Sequence, residues 1–169
     1  MPWNQTNQLE LRCIELDTET QNYYFNFYID GKALDEWLGF NKQTDWRFLN
    51  FDFDIFVVDK TLFPDYDHRQ IIGNKIDQYL GIKPIFTQLE DNRLVLYRCH
   101  CGCDYCSVIS CDLEINDEYV KWCNIAYDDG LDSEDELELD KHGIRTIKQL
   151  IFTRQQYQQV FNEYLEKYL

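Results

Sequence analysis

The densest concentration of reactive side chains is Cys99-His100-Cys101-Gly102-Cys103-Asp104-Tyr105-Cys106, four thiols and an imidazole within eight residues. Thiolates are soft ligands suited to tetrahedral metals, so Cys99, Cys101, Cys103 and Cys106 are the residues that would hold a zinc ion. On a strand Cys99 and Cys101 share a face, and the Cys-x-x-Cys from Cys103 to Cys106 can curl round a metal as a knuckle. Structural zinc sites usually join two knuckles well apart in sequence, whereas here every ligand is crowded around one hairpin turn. Packing is therefore the favoured reading, with small, weakly polar thiols under the hairpin tip and Cys111 and Cys123 buried in the neighbouring strands. No cofactor is expected, and zinc is the alternative. A redox disulfide between Cys103 and Cys106 is the weaker option, since the helix N-terminus that usually activates such a pair is missing.

The other chemistry-bearing residues are more dispersed. Asp52 and Asp54 share a strand face and could bind a divalent ion, but their alternation with Phe51 and Phe53 fits the solvated side of a strand better. His68, His100 and His142 are scattered, and His100 alternates with the thiols beside it, which puts their side chains on opposite faces. There is no nucleophile elbow, phosphate loop, dinucleotide fingerprint or His-Glu-x-x-His pair, so an enzyme is not expected. From Asp128 to Asp140 run eight acids: Asp128, Asp129, Asp132, Glu134, Asp135, Glu136, Glu138 and Asp140. Such a run is either a solvated loop or a mimic of a nucleic-acid backbone offered to a basic partner, and these eight are the candidate partner-binding residues.

The elements that must position these residues follow from periodicity. Leu9, Leu11 and Cys13 alternate with Glu10 and Arg12, and Tyr23 to Ile29 is aromatic and β-branched, closing on Asp30-Gly31; both read as strands. Ala33 to Leu38 can form a short helix stopped by Gly39, with Trp37 in the core. Trp46 to Val58 alternates as a half-buried strand. Ile71, Ile72, Ile76, Tyr79 and Leu80 form a helical stripe that Gly81 would end. Leu94 to Cys101, Ser107 to Ile115 and Tyr119 to Tyr127 predict a three-stranded antiparallel meander. A last strand, Ile147 to Phe152, leads into Thr153 and Gln156, spaced as a capping box, and then Tyr157, Val160, Phe161, Tyr164, Leu165 and Tyr168 at helical spacing. The expected fold is α+β: antiparallel sheets, a C-terminal amphipathic helix packed on them, and one or two shorter helices. A single domain is expected over residues 1–169, with a flexible tail at 1–8 and an acidic loop at 128–142.

Composition narrows the function. The chain has 169 residues, 44% hydrophobic and 16% aromatic, enough for one sizeable core. With 16 Lys and Arg against 31 Asp and Glu, the formal charge is −15, which repels phosphate backbones and attracts basic surfaces. Nucleic acid is thus not an expected partner, although acidity can also serve solubility alone. The N-terminus lacks the pattern of a signal peptide, and no apolar run approaches the ~18 residues of a membrane span, so a cytoplasmic location and no membrane partner are expected. Seven cysteines, an odd number in a reducing compartment, are expected as thiols.

Two resemblances add to this reading. Leu96 to Cys106 with its Cys- and Gly-rich turn, Ser107-Val108-Ile109-Ser110, the Trp122 strand and the closing Phe152-Thr153-Arg154-x-x-Tyr157 helix resemble a family of uncharacterised bacterial proteins with that order of features. The present chain departs from it by inserting the acidic run, and the resemblance implies a fold and no activity. By genre, a small acidic chain without catalytic signature is similar to the immunity proteins of contact-dependent inhibition and other polymorphic toxin systems. That likeness implies an immunity or inhibitor protein of the bacterial cytosol that neutralises a cognate, basic nuclease toxin domain; a monomer is expected. The alternative function is a metal-binding or redox-linked protein using Cys99 to Cys106.

Overall fold

The computed structural model describes residues 5–17, 22–39, 51–52, 64–89, 91–99, 103–104, 107–128, 139 and 143–168. The chain forms two antiparallel sheets together with helices, an α+β fold. The first sheet is β1 (Leu9–Asp17), β2 (Asn22–Ile29) and β3 (Lys32–Ala33), in that order. Asp30 and Gly31 join β2 to β3 with φ of 52° and 81°, the paired positive values that a tight two-residue hairpin needs. The short α1 (Leu34–Trp37) follows directly. Trp37, expected in the core, is half-buried at its margin, with its indole N–H donating to the Ile29 carbonyl at 2.9 Å.

The second sheet runs β4 (Phe51–Asp52), β5 (Leu94–Cys99), β6 (Val108–Ile115), β7 (Tyr119–Asp128) and β8 (Gln149–Thr153). The meander expected over 94–127 is its centre, and of the strand expected at 46–58 only Phe51–Asp52 falls among the described residues. α2 (His68–Tyr79) is inserted between β4 and β5, capped by Asp67, whose carboxylate accepts the Gln70 amide at 3.0 Å. It ends at Gly81 as expected. The reason is twofold: φ is +70°, and a Cβ there would lie 2.7 Å from Ile115 Cδ1 of β6.

Sequence alternation becomes one core between the sheets. Phe25, Phe27 and Ile29 of β2 face Leu96, Trp122 and Phe152 of the second sheet, with Ile72, Ile76 and Tyr79 of α2 in the same cluster. Trp122 is its hub, with ring centroids of Phe152 at 5.1 Å, Phe27 at 5.4 Å, Tyr157 at 6.1 Å and Tyr79 at 6.3 Å. The polar tips in this core are satisfied in series: Trp122 Nε1 donates to the Tyr157 hydroxyl, Tyr157 donates to the Tyr79 carbonyl, and the Tyr79 hydroxyl donates to the Val95 carbonyl. Tyr97 likewise donates to Asn26 Oδ1 at 2.7 Å, and Asn26 donates on to Asp35 at 3.0 Å.

The closing helix α3 (Arg154–Tyr168) buries Tyr157, Phe161 and Tyr164, the stripe its spacing predicted. Half of the expected capping box forms, the Gln156 amide donating to Thr153 Oγ1 at 3.3 Å. The Gln156 side chain instead clasps β1, accepting from Leu9 N at 3.2 Å and donating to Leu9 O at 2.6 Å. Of the expected flexible tail at 1–8, Asn7 and Gln8 are tied down. Asn7 exchanges two hydrogen bonds with Ile151 of β8, and both residues bond the Asp30 carboxylate. These ties join the edge of one sheet to the edge of the other.

Candidate functional site

A cleft of about 210 Å³ opens where α2, the loop after it and the start of the 99–107 hairpin meet. Its floor is apolar, made by Tyr79, Leu94 and Val95, all buried. Its polar wall is built by residues brought together from three stretches of chain: Lys75 and Gln78 from α2, Gln88 from the loop, and Arg98 with Asp104 from the end of β5 and the turn beyond it.

Asp104 organises that wall. It is fully buried, and Arg98 grips it through Nε to Oδ1 and through Nη2 to Oδ2 at 3.5 Å. Gln88 completes the enclosure in both directions: its amide donates to Asp104 Oδ2 at 3.1 Å, and its side-chain oxygen accepts from the Asp104 amide at 2.9 Å. A buried carboxylate without a cation would be strongly disfavoured, so this ion pair and the clasp hold the hairpin against the loop. On the other rim Gln78 Oε1 accepts the Phe86 amide at 3.0 Å, and Phe86, which lines the cleft, is 74% exposed. Ile82, four residues earlier, is also exposed.

Burial sets the ionisation of the nearby phenols. Tyr79, beneath the cleft, is held well above the ordinary tyrosine value by desolvation, with the Tyr157 phenol as a further cause. Tyr97, which packs on the same Phe27 ring as Tyr79, is raised for the same first reason, reinforced by Asp35. Neither is poised as a base near neutral pH.

Cross-strand register relates the cleft to the residues expected to act. Asp52 lies opposite Arg98, Arg98 opposite Val108, and Val108 opposite Asp128, a row across β4 to β7 at one end of the second sheet. The first acid of the run, Asp128, is thus the last residue of β7 and half-buried rather than part of a loop. The chain is back beside β7 at Gly143, which bridges to Ala126, and Ile144 donates to the Ile125 carbonyl. Asp129, Asp132, Glu134, Asp135, Glu136, Glu138 and Asp140 lie outside the described residues.

Of the expected thiol cluster, Cys99 ends β5 and Cys103 is a half-buried thiol, while His100, Cys101 and Cys106 lie outside the described residues. Among the described residues no group of three or more His, Cys, Asp or Glu side chains could hold a metal. Cys111 is buried, as the packing reading expects, and burial pushes its thiol well above the ordinary range; Cys123 is raised for the same reason but remains partly exposed, and Cys13 is exposed on β1. Asp52 is placed in β4, and Asp54 and His142 lie outside the described residues.

Sequence reasoning missed Arg98, Asp104 and Gln88. A signal existed for the first: an arginine inside the apolar run Leu94-Val95-Leu96-Tyr97-Arg98-Cys99 has to find a buried partner or the solvent. It missed Arg93 too, a nearly buried guanidinium that bonds Ser110, Asp112 and the Asn124 carbonyl where β6 shifts register between Ser110 and Asp112. Its role is structural, filling a bulge in the sheet.

Among the described residues no helix is long and apolar enough to cross a membrane. Comparison with protein-family models, with curated proteins and with solved structures finds no match.

Proposed function

We propose that this chain is an immunity or inhibitor protein that binds a basic protein partner, a toxin domain of nuclease type, and occludes its working surface. The observation that carries this reading is the row Asp52–Arg98–Val108–Asp128, because it places the origin of the eight-acid run at the same end of the sheet as the cleft. A molecule of charge −15 is drawn to a cationic surface at long range, and exposed apolar side chains such as Phe86 and Ile82 supply contact area once it arrives. Charges that steer the encounter and apolar side chains that pack once it is made form the division of labour common at inhibitory interfaces.

The test is co-expression with the C-terminal domain of the protein encoded immediately upstream. Restored growth, together with a one-to-one complex of the purified domains, is the expected result. Unrelieved toxicity with no complex, or an upstream product with no toxicity, would remove the immunity reading.

A further inference from the structure

We propose that the cleft between α2 and β5 is a binding site for a small monocarboxylate carried on a compact apolar body. This goes beyond the partner-binding reading and does not depend on it, because it concerns the interior of the cleft rather than the acidic run.

Size comes first. A cavity of about 150 Å³ lined by apolar side chains holds benzene, so 210 Å³ suits one ring or a branched chain bearing one polar group, and is too small for a nucleotide. The lining matches such a body. Tyr79, Leu94 and Val95 make an apolar floor, and the Phe86 ring stands at the mouth, where a ligand's apolar part would cover it.

The polar wall selects the sign of the charge. Both oxygens of Asp104 are already engaged by Arg98 and the Gln88 amide, and the side chain has no exposed surface, so an ammonium ligand finds no open acceptor there. Arg98 is different. A guanidinium has five N–H donors; Asp104 takes bonds from Nε and Nη2, and Nη1 donates to no group among the described residues. Arg98 retains 24% side-chain exposure, and the Lys75 ammonium is a second cationic group in the described lining. A carboxylate at Nη1 would gain a charge-assisted hydrogen bond in a partly desolvated setting, with Gln78 and Thr87 in the lining as further polar neighbours. The net charge of −15 opposes any anion at long range, so affinity should be modest, on the order of 0.1–1 mM for a ligand this small.

The experiment titrates the full chain with 3-phenylpropionate, its amide and the corresponding amine by calorimetry. Saturable one-to-one binding of the acid is expected, with the amide weaker by about tenfold or more and the amine without measurable binding. Because Arg98→Gln would leave Asp104 without its cation and endanger folding, the variants are Lys75→Gln and Phe86→Ser, both at solvent-accessible positions. Phe86→Ser should weaken the acid by about fivefold through lost apolar contact, and Lys75→Gln by several-fold through lost charge, with the fold intact by circular dichroism. The proposal is overturned if the acid shows no saturable binding up to about 10 mM. It is equally overturned if the amide or amine binds as tightly as the acid, or if neither variant differs from the parent.

Discussion

Asp104 has no exposed surface, and its charge is compensated by Arg98 alone among the cations with a hydrogen bond to it. Truncating it leaves a guanidinium without its partner and a Gln88 clasp without its centre. Asp104→Ala should therefore cost about 3–5 kcal/mol in a urea unfolding experiment. A loss below about 1 kcal/mol would mean that the pair is not enclosed as described. The buried phenols give a second expectation. Tyr79, Tyr97 and Tyr157 are all raised well above the ordinary value of 10.0, first by desolvation. The folded chain then holds these protons where the unfolded chain releases them, so the contribution of these phenols to stability is intact below about pH 10 and is lost as pH rises beyond it. Denaturant midpoints across the alkaline range, with tyrosinate absorbance followed in parallel, should show that decline. Full ionisation of all twelve tyrosines while the protein remains folded would contradict it. At this scale the sequence was least legible. Asp104 reads as a turn residue beside cysteines, and nothing local indicates that Gln88, sixteen residues earlier, will enclose it.

Among the elements, α3 was the most readable, because a stripe of six apolar residues at helical spacing leaves little choice of face. Its buried ring, Phe161, contacts Tyr79 at 5.2 Å and Tyr157 at 5.1 Å between centroids. Phe161→Ala should cost about 3–5 kcal/mol by removing that packing, measured by chemical denaturation. A change within experimental error would show that the helix is not docked. What periodicity could not show was the second task of the helix's first turn. The Gln156 carboxamide completes the edge of β1 at Leu9, and that contact spans 147 positions in the chain. A capping-box spacing is a local pattern, and the edge of a distant strand offered a partner that the local rule does not contain. The same reasoning applies to Asn7, which reads as tail in sequence yet bonds β8 in the fold.

For the whole molecule, the α+β class and the meander followed from alternation and from the Asn116-Asp117 and Asp30-Gly31 turns. The division into two sheets, with the Tyr79 ring of α2 touching Phe27 of one and Trp122 of the other, did not. It depends on which apolar faces meet, and Trp122 meeting Phe27 is a contact between strands nearly a hundred residues apart. The candidate cleft was illegible for the same reason, being assembled from α2, the following loop and the end of β5. The acidity, by contrast, is written in composition, and its consequence is kinetic: opposite net charges raise the rate of encounter, and salt screens the attraction. The most direct measurement is the association rate with the proposed basic toxin domain across a salt series, for the parent and for a variant with Asp132, Glu134, Asp135 and Glu136 replaced by Ser. The account predicts that the variant associates more slowly at low salt, that dissociation changes less than association, and that the difference shrinks as salt rises. Association independent of salt, with variant and parent alike throughout, would contradict charge-steered recognition and leave the acidity as a solubility feature.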